Sequence, residues 1–99
     1  MSLEEEFTQA LEDTIEAGKA KKYTPTYFMQ MLGEYGGVGT AKRLLANKEP
    51  QTGLFKVYEL GLLDQSMEAV VLRDKFRLLF TAPELAEAHR RLDELGYFK

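Results

Sequence analysis

The chain has no cysteine, no tryptophan, one histidine and three prolines in 99 residues. Without cysteine there is no disulfide, no thiol nucleophile and no zinc or iron–sulfur site built on thiolates. With His89 alone, a histidine-rich metal site is not expected either, and no cofactor is expected. No run of about 18 apolar residues occurs, so no membrane-spanning helix is expected. The first seven residues are acidic where a secretory signal is basic and then apolar, which points to the cytoplasm. β-branched runs with period-two alternation are also missing, which argues against strands.

What is present suits one small soluble domain. The chain is 44% hydrophobic and 29% charged, a balance that supports a single core at 11.3 kDa. Its net charge of −3 is unevenly spread. Residues 1–18 hold six acids and no base, and residues 19–48 hold six bases against Glu34. The bases are Lys19, Lys21, Lys22, Lys42, Arg43 and Lys48, the one stretch suited to phosphates. A solvated face, or one set against the acidic first helix, explains them equally well. The sequence pI of about 5.2 is low for a nucleic-acid-binding domain.

Helical periodicity runs throughout, and the expected fold is all-α: a compact orthogonal array of five to six short helices in one domain, 1–99. A first helix over 2–20 carries Leu3, Phe7, Leu11 and Ile15 on one stripe, acidic elsewhere and basic at its end near residue 22. Ser2 and Glu5 have capping-box spacing, but Met-Ser-Leu is also a common cloning start, so that cap is discounted. Thr24-Pro25 reads as the cap and first position of a second helix, with Tyr23 and Phe28 as a staple. Phe28, Met31, Leu32 and Tyr35 form its buried face, and Gly36-Gly37 ends it. A third helix over 38–47 buries Val38, Ala41, Leu44 and Leu45. Glu49-Pro50-Gln51 reads as a loop. A fourth helix runs from a Thr52 cap to Leu60, buries Leu54, Phe55 and Tyr58, and stops at Gly61. The fifth, from Asp64 or Ser66 through Leu72, is apolar nearly all round, so it is central, or buried on one side by a partner; the central place is the expected one. A short turn or helix follows over 74–80. The last helix starts at the Thr81/Glu84 capping box with a Phe80/Leu85 staple, and Gly96 ends it. Tyr97 and Phe98 are expected to fold back onto the core.

Motifs that carry chemistry are weak. The glycine-rich stretch 33–42 is preceded by a helix and ordered Gly39-Thr40-Ala41-Lys42, unlike a nucleotide loop, which needs a strand before it and Lys-Ser/Thr directly after its last glycine. A tight helix–helix turn explains it. As a helix-turn-helix it would place Lys42 or Arg43 at the position that wants a buried aliphatic. Lys19, Lys21 and Lys22 interleave with Tyr23 and Tyr27, as in single-strand binders, but also suit a helix C-terminus. His89 has no orienting partner nearby in sequence, and the acid pairs Glu12/Glu16 and Glu84/Glu87 lack a visible cleft.

Residues 23–99 resemble a small helical domain of bacterial proteins. The likeness is carried by Phe28-Met29-Gln30-Met31-Leu32, Gly36-Gly37-Val38 with Ala41-Lys42 and Leu44-Leu45, Gly53 with Phe55, Leu60-Gly61-Leu62-Leu63-Asp64, Ser66 to Leu72, and a tail from Phe76 to Tyr97. It implies a domain that occurs alone or appended to larger bacterial proteins, some nuclease- or restriction-like. It implies no catalytic residues. Glu68 is odd in so apolar a helix: a functional acid, or a buried one paired with Arg43, Arg73 or Arg77.

The expected function is a non-enzymatic interaction or accessory module that binds a protein partner, or itself, through a helix face. The alternative is a nucleic-acid accessory domain whose six bases, Lys19, Lys21, Lys22, Lys42, Arg43 and Lys48, share one face. An enzyme would need a deep pocket lined by Glu68, His89 and tyrosines.

Overall fold

The apolar stripe at the start of the chain becomes α1 (Leu3–Ala20), which buries Phe7, Leu11 and Ile15. The computed structural model describes residues 1–48 and 52–99. The loop expected over Glu49-Pro50-Gln51 and the Thr52 side-chain cap lie outside the described residues. The discounted Ser2 cap is formed: Ser2 N donates to Glu5 Oε1 at 3.0 Å and Glu5 N to Ser2 Oγ at 3.1 Å. At the other end Tyr23 N donates to Gly18 O and Lys22 N to Lys19 O, both at 2.9 Å, with Lys22 at φ 65. That is the paired bonding of a left-handed C-terminal cap.

α2 (Thr26–Ala46) is two helical stretches joined through Gly36, whose φ of 73 and ψ of 175 break the helix for one residue. The expected break is there, but with no loop around it. The expected start is not. Pro25 at φ −80 and ψ 76, with Thr26 N donating to Thr24 O at 2.9 Å, forms an inverse γ-turn. Thr24 therefore makes no cap, and the helix begins one residue later. Gly37 lies against α1: its N–H donates to Thr8 Oγ1 at 3.0 Å, and a Cβ there would sit 2.8 Å from Thr8 Cα. Met31, Leu32, Thr40, Ala41 and Leu45 are buried, whereas Tyr35 is 40% exposed and lies under the Arg43 guanidinium, 3.8 Å from its ring centre.

α3 (Thr52–Glu59) buries Leu54 and half-buries Val57; Phe55 and Tyr58 face solvent, contrary to expectation. The two apolar stripes of this helix are one residue apart, and only one can meet the core. Gly61 at φ 74 caps it, with Leu62 N donating to Val57 O at 2.8 Å. A 3-10 turn (Leu63–Gln65) leads into α4 (Met67–Val71), where all five residues are buried. The expectation of a central helix holds, in a single turn and a half that touches α1, α2 and α5.

A second 3-10 stretch (Asp74–Leu79) brings Phe76 and Phe80 edge-on to Phe7, each with ring centres 5.2 Å away. α5 (Ala82–Glu94) starts at the Thr81/Glu84 capping box and ends at Gly96, φ 76. Ala88, Arg91 and Leu92 are its buried residues. Tyr97 and Phe98 remain half-exposed: Phe98 stacks on His89 at 4.3 Å between ring centres, on the outer side of α5 rather than the core. Among the described residues the chain is helical with no strand, as expected. No described helix is long and apolar enough to cross a membrane.

Candidate binding cleft

Where the end of α1, the start of α2 and α3 meet, small residues leave room. Gly18, Thr24, Pro25, Thr26 and Gly53 carry too little side chain to fill the space between Ile15, Phe28, Met31, Leu54 and Met67. The result is a cavity of about 420 Å³ with Tyr23 and Tyr27 at its walls and Glu68 among its lining. That volume falls in the range of small-molecule sites, about 300–1,000 Å³, which are typically apolar with a few placed polar groups.

Three polar groups of the lining, Thr14, Ser66 and Glu68, are already engaged. Thr14 Oγ1 donates to Gln65 O at 2.6 Å, holding α1 to the first 3-10 turn. Ser66 Oγ donates to Leu63 O at 2.7 Å and accepts from Ala69 N at 3.2 Å, capping α4. Glu68, 3% exposed, accepts from Arg91 Nη1 at 3.2 Å. Burial pushes the Glu68 carboxyl above the usual carboxylate range, against the pull of its own backbone N–H and of Arg91. All three groups can still accept further hydrogen bonds.

Arg91 is the hub behind this wall. Its Nη2 donates to Leu44 O at 2.9 Å, Leu45 O at 3.4 Å and Asn47 O at 2.8 Å, carbonyls at the end of α2, of which Leu44 O also accepts from Asn47 N at 3.3 Å. Its Nε donates to Glu87 Oε2 at 2.6 Å. Glu87 is also gripped by Arg90, and these guanidiniums hold its carboxyl at about 2 despite partial burial. Glu68 is thus a buried, paired acid, but its partner is Arg91. Arg43 lies over Tyr35, and Arg77 is held by Leu72 O and Asp74. Arg91 sits among Ala88, Leu92 and Leu95 on the stripe of α5, a placement that could have marked it as buried.

The six candidate bases separate into groups. Lys19, in the last turn of α1, and Lys21 and Lys22 just after it lie between Gly18 and Tyr23, both of which line the cavity, and Lys48 follows Asn47, which lines it too. Lys42 is elsewhere: Nζ meets Glu84 Oε1 at 2.7 Å and lies 5.3 Å from the Phe80 ring centre. Phe80 packs on Phe7, and the twelve helical steps from Phe7 to Lys19 span about 18 Å. Lys42 and Arg43 are therefore engaged with other side chains, and Lys42 stands well away from the turn at 19–22.

The cavity contains Glu68, Tyr23 and Tyr27 but not His89, which lies in a shallow depression with Arg73, Arg77, Tyr97 and Phe98. No group of three or more acids or histidines is placed to hold a metal among the described residues. No protein-family model, curated protein or solved structure matches the chain. The cleft itself left no mark in the sequence beyond small residues at three helix ends.

Proposed function

We propose that the chain is a non-enzymatic binding module whose receptor is the cleft between α1, α2 and α3. The carrying observation is the cavity of about 420 Å³, apolar in its walls, whose Thr14, Ser66 and Glu68 are already engaged in holding the fold. Such a lining binds shape and apolar surface; it offers no paired base and nucleophile to a reacting atom. The exposed Tyr27 beside it, and Phe55 and Tyr58 on α3, extend apolar surface outward for a partner. The resemblance of residues 23–99 to a bacterial domain found alone or appended to larger proteins fits an accessory role of this kind.

The test is two-dimensional amide NMR with millimolar indole and p-cresol as probes. Shifts should concentrate at Gly18, Tyr27, Gly53 and Val57. Shifts confined to His89 and Phe98, or none at all, would refute the cleft as receptor.

A further inference from the structure

Four lysines lie next to lining residues of this cavity along the chain. Lys21 and Lys22 adjoin the lining residue Tyr23, Lys48 adjoins Asn47, and Lys56 sits between Leu54 and Val57 with Nζ 5.9 Å from the Tyr23 ring centre. Lys19 has a carboxylate partner in exposed Glu16 at 3.6 Å; the other four have none among the described residues. The lining is different: half-buried aromatic side chains at Tyr23 and Phe28, exposed Tyr27 at the edge, and the carboxylate of Glu68, an acceptor 97% withdrawn from solvent. The ion-pair network behind it counts three carboxylates, Glu68, Glu87 and Glu94, against Arg90 and Arg91, so no positive charge is left over on that side.

An occupant must therefore be anionic at its near edge, flat and apolar in its body, and a hydrogen-bond donor at its far edge. An organic cation would suit Glu68 but meet the lysines. An acidic peptide would suit the lysines, but an aliphatic anchor brings no donor to the carboxylate and an aromatic one, tryptophan or tyrosine, brings only one. A nucleotide combines all three properties in one unit. We propose that the cavity takes one unpaired base of single-stranded nucleic acid, with its N–H edge toward Glu68, its ring beside Tyr27, and the flanking phosphates on Lys21, Lys22 and Lys48. Guanine suits it best, because its N1–H and exocyclic amine present two adjacent donors to a carboxylate. A duplex is a poor ligand, since its base edges are paired and stacked. This inference rests on the cleft being the receptor.

The experiment is fluorescence anisotropy with the full chain and labelled 12-nucleotide DNA: oligo-dT carrying one central dG, the same strand with an abasic site there, all-dT, and a duplex. The dG strand should bind at least about tenfold tighter than the abasic strand or the duplex. Three lysine–phosphate contacts should weaken binding about twentyfold between 50 and 200 mM salt. The triple variant Lys21→Gln/Lys22→Gln/Lys48→Gln should lose affinity and flatten that slope. Arg73→Gln/Lys75→Gln/Arg77→Gln removes the same charge elsewhere and should change neither. Glu68→Gln should abolish the preference for dG over dT. If that variant fails to fold, the wild-type strand series and the two triple variants decide the matter. Equal binding to the abasic strand, equal loss in both triple variants, or no binding at 50 mM salt overturns the proposal. If indole still shifts the cleft amides while no oligonucleotide binds, the receptor stands and the nucleic-acid occupant falls. If neither binds, both fall.

Discussion

Thr40 is fully buried, and its Oγ1 has no hydrogen-bond partner among the described residues. The cause lies four residues earlier. A helical threonine ordinarily turns its hydroxyl to the carbonyl at i−4. Here that residue is Gly36, which the kink takes out of helical conformation. Thr40→Val keeps the branched shape and replaces the stranded hydroxyl with a methyl. Removing an unsatisfied buried hydroxyl relieves about 1–3 kcal/mol. Helix propensity is nearly unchanged, since both residues are β-branched. A net gain of about 1–2 kcal/mol should raise Tm by about 4–8 °C per kcal/mol and shift the urea midpoint up at constant m. The assay is urea and thermal unfolding followed by circular dichroism at 222 nm. Thr40→Ser is the control: it keeps the hydroxyl and loses the methyl, and should cost about 1 kcal/mol. If Thr40→Val destabilises while Thr40→Ser is neutral, the hydroxyl has a partner and the account of the kink is wrong.

Three other outcomes follow from the same packing. Gly37→Ala should lose about 1–2 kcal/mol net, because its Cβ would meet the Thr8 backbone, whereas Gly33→Ala, which opens onto free space, should gain up to about 1 kcal/mol; paired urea titrations check the opposite signs. Arg91→Met should cost about 3–5 kcal/mol by leaving Glu68 buried and unpaired, and Glu68→Met/Arg91→Met should recover part of that loss, as a double-mutant cycle would read out. Glu87 is held at about 2, below an unfolded value of about 4.3, so its contribution is full above the unfolded value and disappears as pH falls through the folded one. Glu68, shifted upward, acts in the opposite sense, easing the fold as pH falls and its carboxyl protonates. Glu87→Gln should therefore flatten the loss of stability between about pH 4.5 and 2, measured as Tm against pH; an unchanged slope would remove Glu87 from the account.

Signals that depend on neighbouring residues were legible in the sequence. The Thr81/Glu84 box, the helix-breaking glycines at 36, 61 and 96, and the apolar circumference of 67–71 all appear as read, because each is decided within a few residues. Where two local options were equally good, packing chose. Leu54 and Val57 compete with Phe55 and Tyr58 for the core on one eight-residue helix, and nothing in that helix says which pair wins. Thr24-Pro25 looks like a helix start, yet the γ-turn at Pro25 delays it by one residue. Glu68 stood out as an acid among apolar neighbours, but Arg91 lies 23 residues on and is brought to it only when α5 crosses the end of α2. The cavity is the extreme case. It is a space left by three helix ends, and a gap has no residue of its own.

The boundary at residue 23 also acquires a meaning. Residue 23 follows α1, yet Phe76 and Phe80 close on Phe7, and Gly37 on Thr8, across that line. A segment cut there is not a domain but a socket missing its plug. A chain joined ahead of residue 23 in place of α1 would have to end in a helix that offers an aromatic and two aliphatics at four-residue spacing, with a small hydroxyl beside the aromatic. The unit that can be moved between proteins as a folded whole therefore includes α1, and its first turn of acids travels with it.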